Sequence, residues 1–373
     1  MAVVLVLVVL FAALSNRISR VNNLALVGMV GISTLVVASF LWTDEPAMAQ
    51  TRSVTFGALA LTSIALAFAF AYLGTDAVNS VRSGLVLGAA IASTLVIIAR
   101  IKGDFVGAEE FQQVTMRSSA GAADPNDLAL LLAAALPACV WSRSVFSRVL
   151  VSALVITGVL LTGSRGAILA LAVGGGVALV ALLSIRGSKA IPTVAWSAAI
   201  SSIVVWGAWN LLPDTVAERI RSIPAELSSG SFTKRTTLWQ AAWEQFNEHP
   251  ILGSGVGTAR HYIFQRSGLD LVTHNTHLSF LVELGFVGWA LFIFALLVAW
   301  AGAVAFHRSA MWPLVTLAVL TTGTVSLSWE FNKLLWVMLV FGGFLLAQKS
   351  DAAAPDGLAV QSAHRPAASA KGR

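Results

Sequence analysis

Residues 161–183 read LTGSRGAILALAVGGGVALVALL, and from Ala167 to Leu183 no position is charged. Such a run is a helix crossing a bilayer. In hydrocarbon each backbone N–H and C=O needs a partner within its own segment, and about 20 apolar residues rising ~1.5 Å each cover the core. Working outward, similar runs lie at 2–14, 24–42, 54–73, 84–99, 128–141, 149–161, 191–211, 278–300, 311–327 and 334–347. Strand-like alternation is absent, which excludes a membrane barrel. The sequence therefore predicts an all-α, polytopic transmembrane bundle of about eleven spans. Eight spans fall in 1–212, a large external loop in 213–276 and the C-terminal spans in 277–349, before a disordered cytoplasmic tail at 350–373. The first run is short and has no basic flank, so it resembles neither a signal peptide nor a complete first helix.

Composition agrees. The chain is 57% hydrophobic and 11% charged, too few charges to clothe a soluble globule of 373 residues. A net charge of +6 would suggest nucleic acid in a soluble protein. Here Arg17, Arg20, Arg82, Arg143, Arg148, Arg186, Lys189 and Arg308 occupy alternate short connections. That pattern is the positive-inside signature of cytoplasmic loops, so the bilayer is the partner and nucleic acid is not. Segment 101–127, the turn around Arg165 and the 213–276 loop then lie outside. Cys139 is the only cysteine, which excludes an internal disulfide and a thiolate metal cluster.

The long loop has internal order. Leu238, Trp239, Ala242, Trp243 and Phe246 recur at helical steps, predicting an amphipathic helix over 233–248 that lies on the bilayer or caps the bundle. Lys234 and Arg235 fall in its first turn, where cations oppose the helix dipole. Two readings stand: an anionic ligand removes the conflict, or the pair is solvated. His249-Pro250-Ile251-Leu252-Gly253-Ser254-Gly255-Val256-Gly257 lacks the preceding strand a nucleotide loop requires and reads as structural punctuation.

Four further positions stand out. Arg165 sits uncovered between Gly163 and Gly166, and its planar fork suits phosphate oxygens; snorkelling to lipid phosphates is the plainer alternative. His274-Asn275 lies where the loop re-enters a span, so the imidazole caps that entry or acts as a general base near neutral pH. His277 lies three residues on, but no third ligand stands at a metal-binding spacing, so no metal is expected. Asp124-Pro125-Asn126-Asp127 precedes a span, where its polar groups cap a helix or hold a sugar. Glu283 is costly in lipid, faces the bundle interior or a wet cavity, and can orient a partner there.

Taken together, the Ser164-Arg165-Gly166 turn, Arg235 four residues before Trp239 ahead of His249-Pro250-Ile251-Leu252-Gly253, and His274-Asn275 with Gly285 and Gly288 resemble the O-antigen ligase and polymerase superfamily of polytopic bacterial glycosyltransferases. Asp124-Pro125-Asn126 is similar to a segment in members of the group. The resemblance covers the central and C-terminal two thirds. It departs from the family pattern in two places: the cation four residues before leucine is Lys234, whereas Arg235 stands three before Leu238, and the first helix is short where a family member would usually have about twelve spans.

The resemblance implies a GT-C-like fold in the bacterial inner membrane. It also implies metal-independent, inverting transfer of a glycan from an undecaprenyl-diphosphate carrier to a glycan, lipid-core or protein hydroxyl on the periplasmic or external face. No cofactor is implied. Arg165, Arg235 and His274 would be catalytic, with Lys234, Asn275, Asn126 and Glu283 holding substrate. O-antigen or exopolysaccharide polymerisation and protein O-glycosylation would use a similar site. A lipid-linked glycan transporter would show repeated halves and ionisable residues at several span centres, and the chain has few of the latter.

Overall fold

The computed structural model describes residues 23–102, 124–141, 144–229 and 235–353; the 2–14 run and Lys234 lie outside this set. The described residues form helices, with no strand among them. In chain order these are α1 (Ala25–Ala38), α2 (Pro46–Leu73), α3 (Asp76–Lys102), α4 (Pro125–Val140), α5 (Val145–Thr162), α6 (Arg165–Arg186) and α7 (Ile191–Trp209). Then come the short α8 (Asp214–Arg221), α9 (Ile223–Ser229), α10 (Arg235–Glu248) and α11 (Ala259–Ser267), followed by α12 (Thr276–Phe306), α13 (Trp312–Thr324) and α14 (Lys333–Ala353).

Each expected apolar run after the first falls on a helix. Among the described residues six helical segments are long and apolar enough to cross a membrane, one of them, Arg165–Trp209, containing both α6 and α7. Ala25–Leu41, Pro125–Val140 and Trp312–Thr324 are apolar but shorter. Helix α14 continues to Ala353, past Ser350, where the tail is expected to begin, and residues 354–373 lie outside the described set.

Helix α12 lies centrally, against α14 and α1, while α6 packs on α13 and α4 on α5 and α13. Small residues set these approaches. A Cβ on Gly302 of α12 would run into the Gly342 carbonyl of α14, and one on Gly28 of α1 would lie 2.6 Å from the Leu291 carbonyl of α12. Lipid tails are as apolar as leucine, so helices in a bilayer gain from such close van der Waals contact rather than from burial alone. Helix α7 is peripheral, with Trp196 and Trp206 exposed.

The helix α12 is broken. Gly285 has φ +64°, and around it four backbone donors and acceptors pair with the glycine-rich loop. Ser254 N–H donates to Val282 O at 2.8 Å and Gly255 N–H to Glu283 O at 3.0 Å. Phe286 N–H donates to Pro250 O at 2.8 Å and Val287 N–H to Ile251 O at 3.2 Å. The other side of the loop grips the junction before α2: Ser39 Oγ accepts from Val256 N–H at 3.1 Å, and Thr43 Oγ1 donates to Val256 O at 3.2 Å. The loop is therefore punctuation with a specific duty, a clamp on a helix break.

The 213–276 segment holds four helices rather than the single one expected. Helix α10 caps the bundle by packing on α11 and α12. Its buried face, Leu238, Ala241, Ala242 and Gln245, is rotated from the expected stripe, and Trp243 is exposed. The reason is polar. Gln245 donates to Ser254 Oγ at 2.7 Å and accepts from Arg266 Nη2 at 2.7 Å, so an amide takes an inward position that apolar patterning assigns to an aromatic ring.

A side chain at Gly285 would meet the Ile251 carbonyl and adopt a backbone conformation that disfavours L residues. Gly285→Val should destabilise the protein by roughly 3 kcal/mol or more and lower its thermal midpoint in detergent.

Candidate functional site

The turn joining α5 to α6 is built for close approach. Gly163 takes a left-handed conformation as the C-cap of α5, and Ser164 caps α6 through its Oγ, so Arg165 is the first helical residue. Helix α8 lies over this turn: a Cβ on Gly163 would meet Val216 at 3.1 Å, and Arg219 Nε donates to Gly163 O at 3.2 Å. Arg165 Nη1 donates to Ser222 Oγ at 3.1 Å, and Ser222 Oγ donates to Arg219 O at 2.9 Å. Gly166 packs on the segment after α13, where a Cβ would lie 2.7 Å from Ser326 Oγ.

Arg165 thus stands at the positive end of α6, and Arg235 is the first described residue of α10. Both guanidinium groups interact with Arg219, and Arg165 interacts with Arg235. Burial pushes Arg219 and Arg235 below the ordinary arginine range; Arg219 adds its repulsion on Arg235, and Asp124 opposes the shift on both. Among the described residues neither Arg219 nor Arg235 forms an ion pair. Three half-buried guanidinium groups, one of them at a helix N-terminus, with one facing carboxylate, make a cationic cluster suited to a multiply charged anion.

His274 belongs to the rim of the same region. Its backbone has φ +47°, the one non-glycine positive φ among the described residues. The turn is tied on several sides. Trp239, one helical turn after Arg235 on α10, donates from Nε1 to Thr273 O at 3.0 Å. Thr273 Oγ1 accepts from Asn275 N–H at 3.2 Å and donates to Asn275 O at 2.9 Å, closing a small ring around His274. Thr276 Oγ1 donates to Leu327 O at 2.7 Å and accepts from Trp329 N–H at 2.8 Å. Trp329 Nε1 in turn donates to Asp127 Oδ1 at 2.7 Å, one helical turn past Asp124. The 326–329 segment thus joins the Arg165 turn, the His274 turn and the start of α4.

The other expected positions are placed as follows. Asn275 Oδ1 accepts from His277 and Leu278 N–H and caps α12, so its carboxamide oxygen is committed to structure. Asn126 Nδ2 donates to Asp124 Oδ1 at 3.0 Å, at the start of α4 beside the cationic cluster. Glu283 lies on the opposite side of the His274 turn, at the clamp, where Oε1 accepts from Ala259 N–H at 3.4 Å. His277 hydrogen-bonds Thr324 Oγ1 at 3.2 Å and accepts from Trp289 Nε1 at 3.3 Å, a pin between α12 and α13. Sequence reasoning missed Arg219, Ser222 and Trp329. A signal for Arg219 existed, since Val216, Ala217 and Ile220 give 214–221 an apolar helical face with Arg219 beside it.

The arrangement is that of a multi-pass helical membrane protein with a cluster of arginines brought together outside its long helices. Residues 150–293 match the family described as O-antigen ligase, and this match over part of the chain supports a place in that superfamily. The matched segment runs from α5 into α12 and contains Arg165, Arg219, Arg235, His274 and Glu283, whereas Asp124 and Trp329 lie outside it. Comparison with curated proteins gave no match.

Removing the facing carboxylate should strengthen the field without disturbing the helix start, because asparagine also caps helices. Asp124→Asn should bind inorganic pyrophosphate about threefold or more tighter by calorimetry, and Arg219→Gln should weaken it by a similar factor or more, both effects shrinking in high salt.

Proposed function

We propose that this protein is an O-antigen ligase-like glycosyltransferase of the bacterial inner membrane, with about eleven spans in a GT-C-like arrangement and its site on the periplasmic face. The donor is a glycan on an undecaprenyl-diphosphate carrier, and the acceptor is a hydroxyl of a lipid core, another glycan or a protein. The observation that carries this reading is the convergence of Arg165, Arg219 and Arg235. A lipid diphosphate supplies the negative charge that such a cluster stabilises, and the reading is supported by all three arginines falling within the residues that match the O-antigen ligase family.

In this mechanism the arginines hold the diphosphate and neutralise the charge that grows on it as the glycosidic C–O bond breaks. They do what a divalent ion does in other glycosyltransferases, so the transfer needs no metal. His274 takes the acceptor's proton as its oxygen attacks the anomeric carbon from the side opposite the leaving diphosphate, and the configuration inverts. Asn126, beside the cluster, and Lys234 contribute to donor binding. Asn275 and Glu283 act from behind, Asn275 by fixing the start of α12 and Glu283 by holding the clamp.

The test is reconstitution with a diphosphate-linked glycan and candidate acceptors, with and without chelator, reading release of carrier diphosphate. One well-placed donor to a developing anion is worth about 3 kcal/mol, so Arg165→Ala, Arg219→Ala, Arg235→Ala and His274→Ala should each lose about a hundredfold or more in transfer while remaining in the membrane. Undiminished transfer by the arginine variants would overturn the assignment. The product separates the acceptor classes: lengthening of carrier-linked glycan marks a polymerase, and transfer to a lipid core or protein marks a ligase.

A further inference from the structure

The far end of α6 carries a feature that the transfer mechanism does not use. The helix begins at Arg165 in the arginine cluster, and Ser184 lies roughly 28 Å further along its axis. A groove of about 520 Å³ opens there on the outside of the bundle, lined by Val173 and Gly176 of α6, Val304 of α12 and Leu314 of α13. Its lining is apolar except at one end. Ser184 is the last lining residue along α6 and His307 the last beyond α12, so the polar groups gather where these helices finish. Both are held in place: Ser184 Oγ donates to Ala181 O at 2.8 Å, and His307 Nδ1 donates to Val304 O at 2.5 Å.

The size of the groove points to a tail. From Val173 to Ser184 it follows α6 for about 16 Å of helical rise, close to half of a hydrocarbon core about 30 Å thick. A slot of that length and lining suits one extended acyl chain from one leaflet. The glycines at 174–176 agree with this. A Cβ on Gly174 would lie 2.6 Å from Val319, so that glycine lets α13 approach, whereas a Cβ on Gly176 would meet no neighbouring helix within 4 Å. Glycine inside a helix is disfavoured against alanine, and no packing contact explains it at 176. The space it leaves belongs to the groove.

The polar end is also basic. Arg186 ends α6 two residues past Ser184, Lys189 follows in the 3-10 turn Gly187–Ala190, and Arg308 is next to His307. All three are exposed, and among the described residues none of them forms an ion pair. Cations at helix ends reach lipid phosphates readily, and here they stand at the mouth of a slot the length of a tail. The combination complements an amphiphile with a hydrocarbon chain and an anionic head.

We propose that this groove binds an anionic phospholipid of the leaflet opposite the arginine cluster, its tail against Gly176, Val304 and Leu314 and its phosphate beside Arg186, Lys189 and Arg308. The inference is independent of the ligase reading.

The experiment uses the full chain in phosphatidylcholine proteoliposomes that contain a trace of photoreactive phosphatidylglycerol or photoreactive phosphatidylcholine, each with a diazirine in its tail. Labelled peptides are mapped by mass. In the wild type, phosphatidylglycerol should label peptides covering 173–184 and 300–314 about fivefold or more above phosphatidylcholine, with no such preference on α2 peptides, and the preference should shrink in high salt. Arg186→Gln/Lys189→Gln/Arg308→Gln should lose the preference, and Arg186→Lys/Arg308→Lys should keep it. Gly176→Leu, which places a side chain in the slot, should cut phosphatidylglycerol labelling of these peptides about threefold or more. Equal labelling by the two lipids in the wild type, a preference that survives loss of the three charges, or undiminished labelling of Gly176→Leu overturns the proposal. So does absence of lipid label from both segments together with cross-links between two chains there, which would mean that a second copy covers the groove. The salt series needs no substitution, so it decides even where a variant fails to insert: a preference equal at low and high salt overturns the proposal.

Discussion

A backbone that leaves the helix inside an apolar bundle must find partners for the groups it frees, because lipid offers none. The break at Gly285 meets this requirement through the 250–255 loop, which pairs with the carbonyls of Val282 and Glu283 and with the amides of Phe286 and Val287. The same loop reaches the junction before α2 through Ser39 and Thr43. One clamp therefore joins the start of the chain, the cap and the central helix. The cap carries Arg235 and Trp239, and Trp239 fixes Thr273, so the location of the His274 turn follows from how the break is satisfied.

The arginine cluster rests on a second balance. Three guanidinium groups near one another, one of them at the positive end of a helix, repel, and Asp124 opposes the shift on two of them. Packing holds them there: Val216 on Gly163, Gly166 on Ser326 and Leu238 in the cap. The fold thus keeps an electrostatic cost in this cluster, held by packing rather than by flexible side chains, as in a preorganised electrostatic site.

Much of this was legible in the residues, for identifiable reasons. The apolar runs announce helices because a bilayer permits little else, and Arg165 stood out because glycines on both sides leave it uncovered. Arg235 was legible as a conflict with a helix dipole, and His274 by its place at a span entry. The break in α12 was not legible. Gly285 sits in an otherwise unbroken apolar helix, and the loop that completes its bonding lies about thirty residues earlier in the chain. The inward turn of Gln245 escaped for a similar reason, since its partners Ser254 and Arg266 belong to later segments. Trp329 and Arg219 were missed because their meaning lies in what they touch, Asp127 and Gly163, over 202 and 56 positions of chain.

The clamp also bears on how the protein is made. Val256 bonds Ser39 and Thr43 across 217 and 213 residues, and Asn23 donates to Val340 O across 317. Contacts so distant form only after both ends have left the ribosome, and they are slow because the intervening chain must first be ordered. Early helices can enter the bilayer as they emerge, each satisfied on its own. The clamp and the contact between Asn23 and Val340 are therefore completed late, when most of the chain is already in lipid.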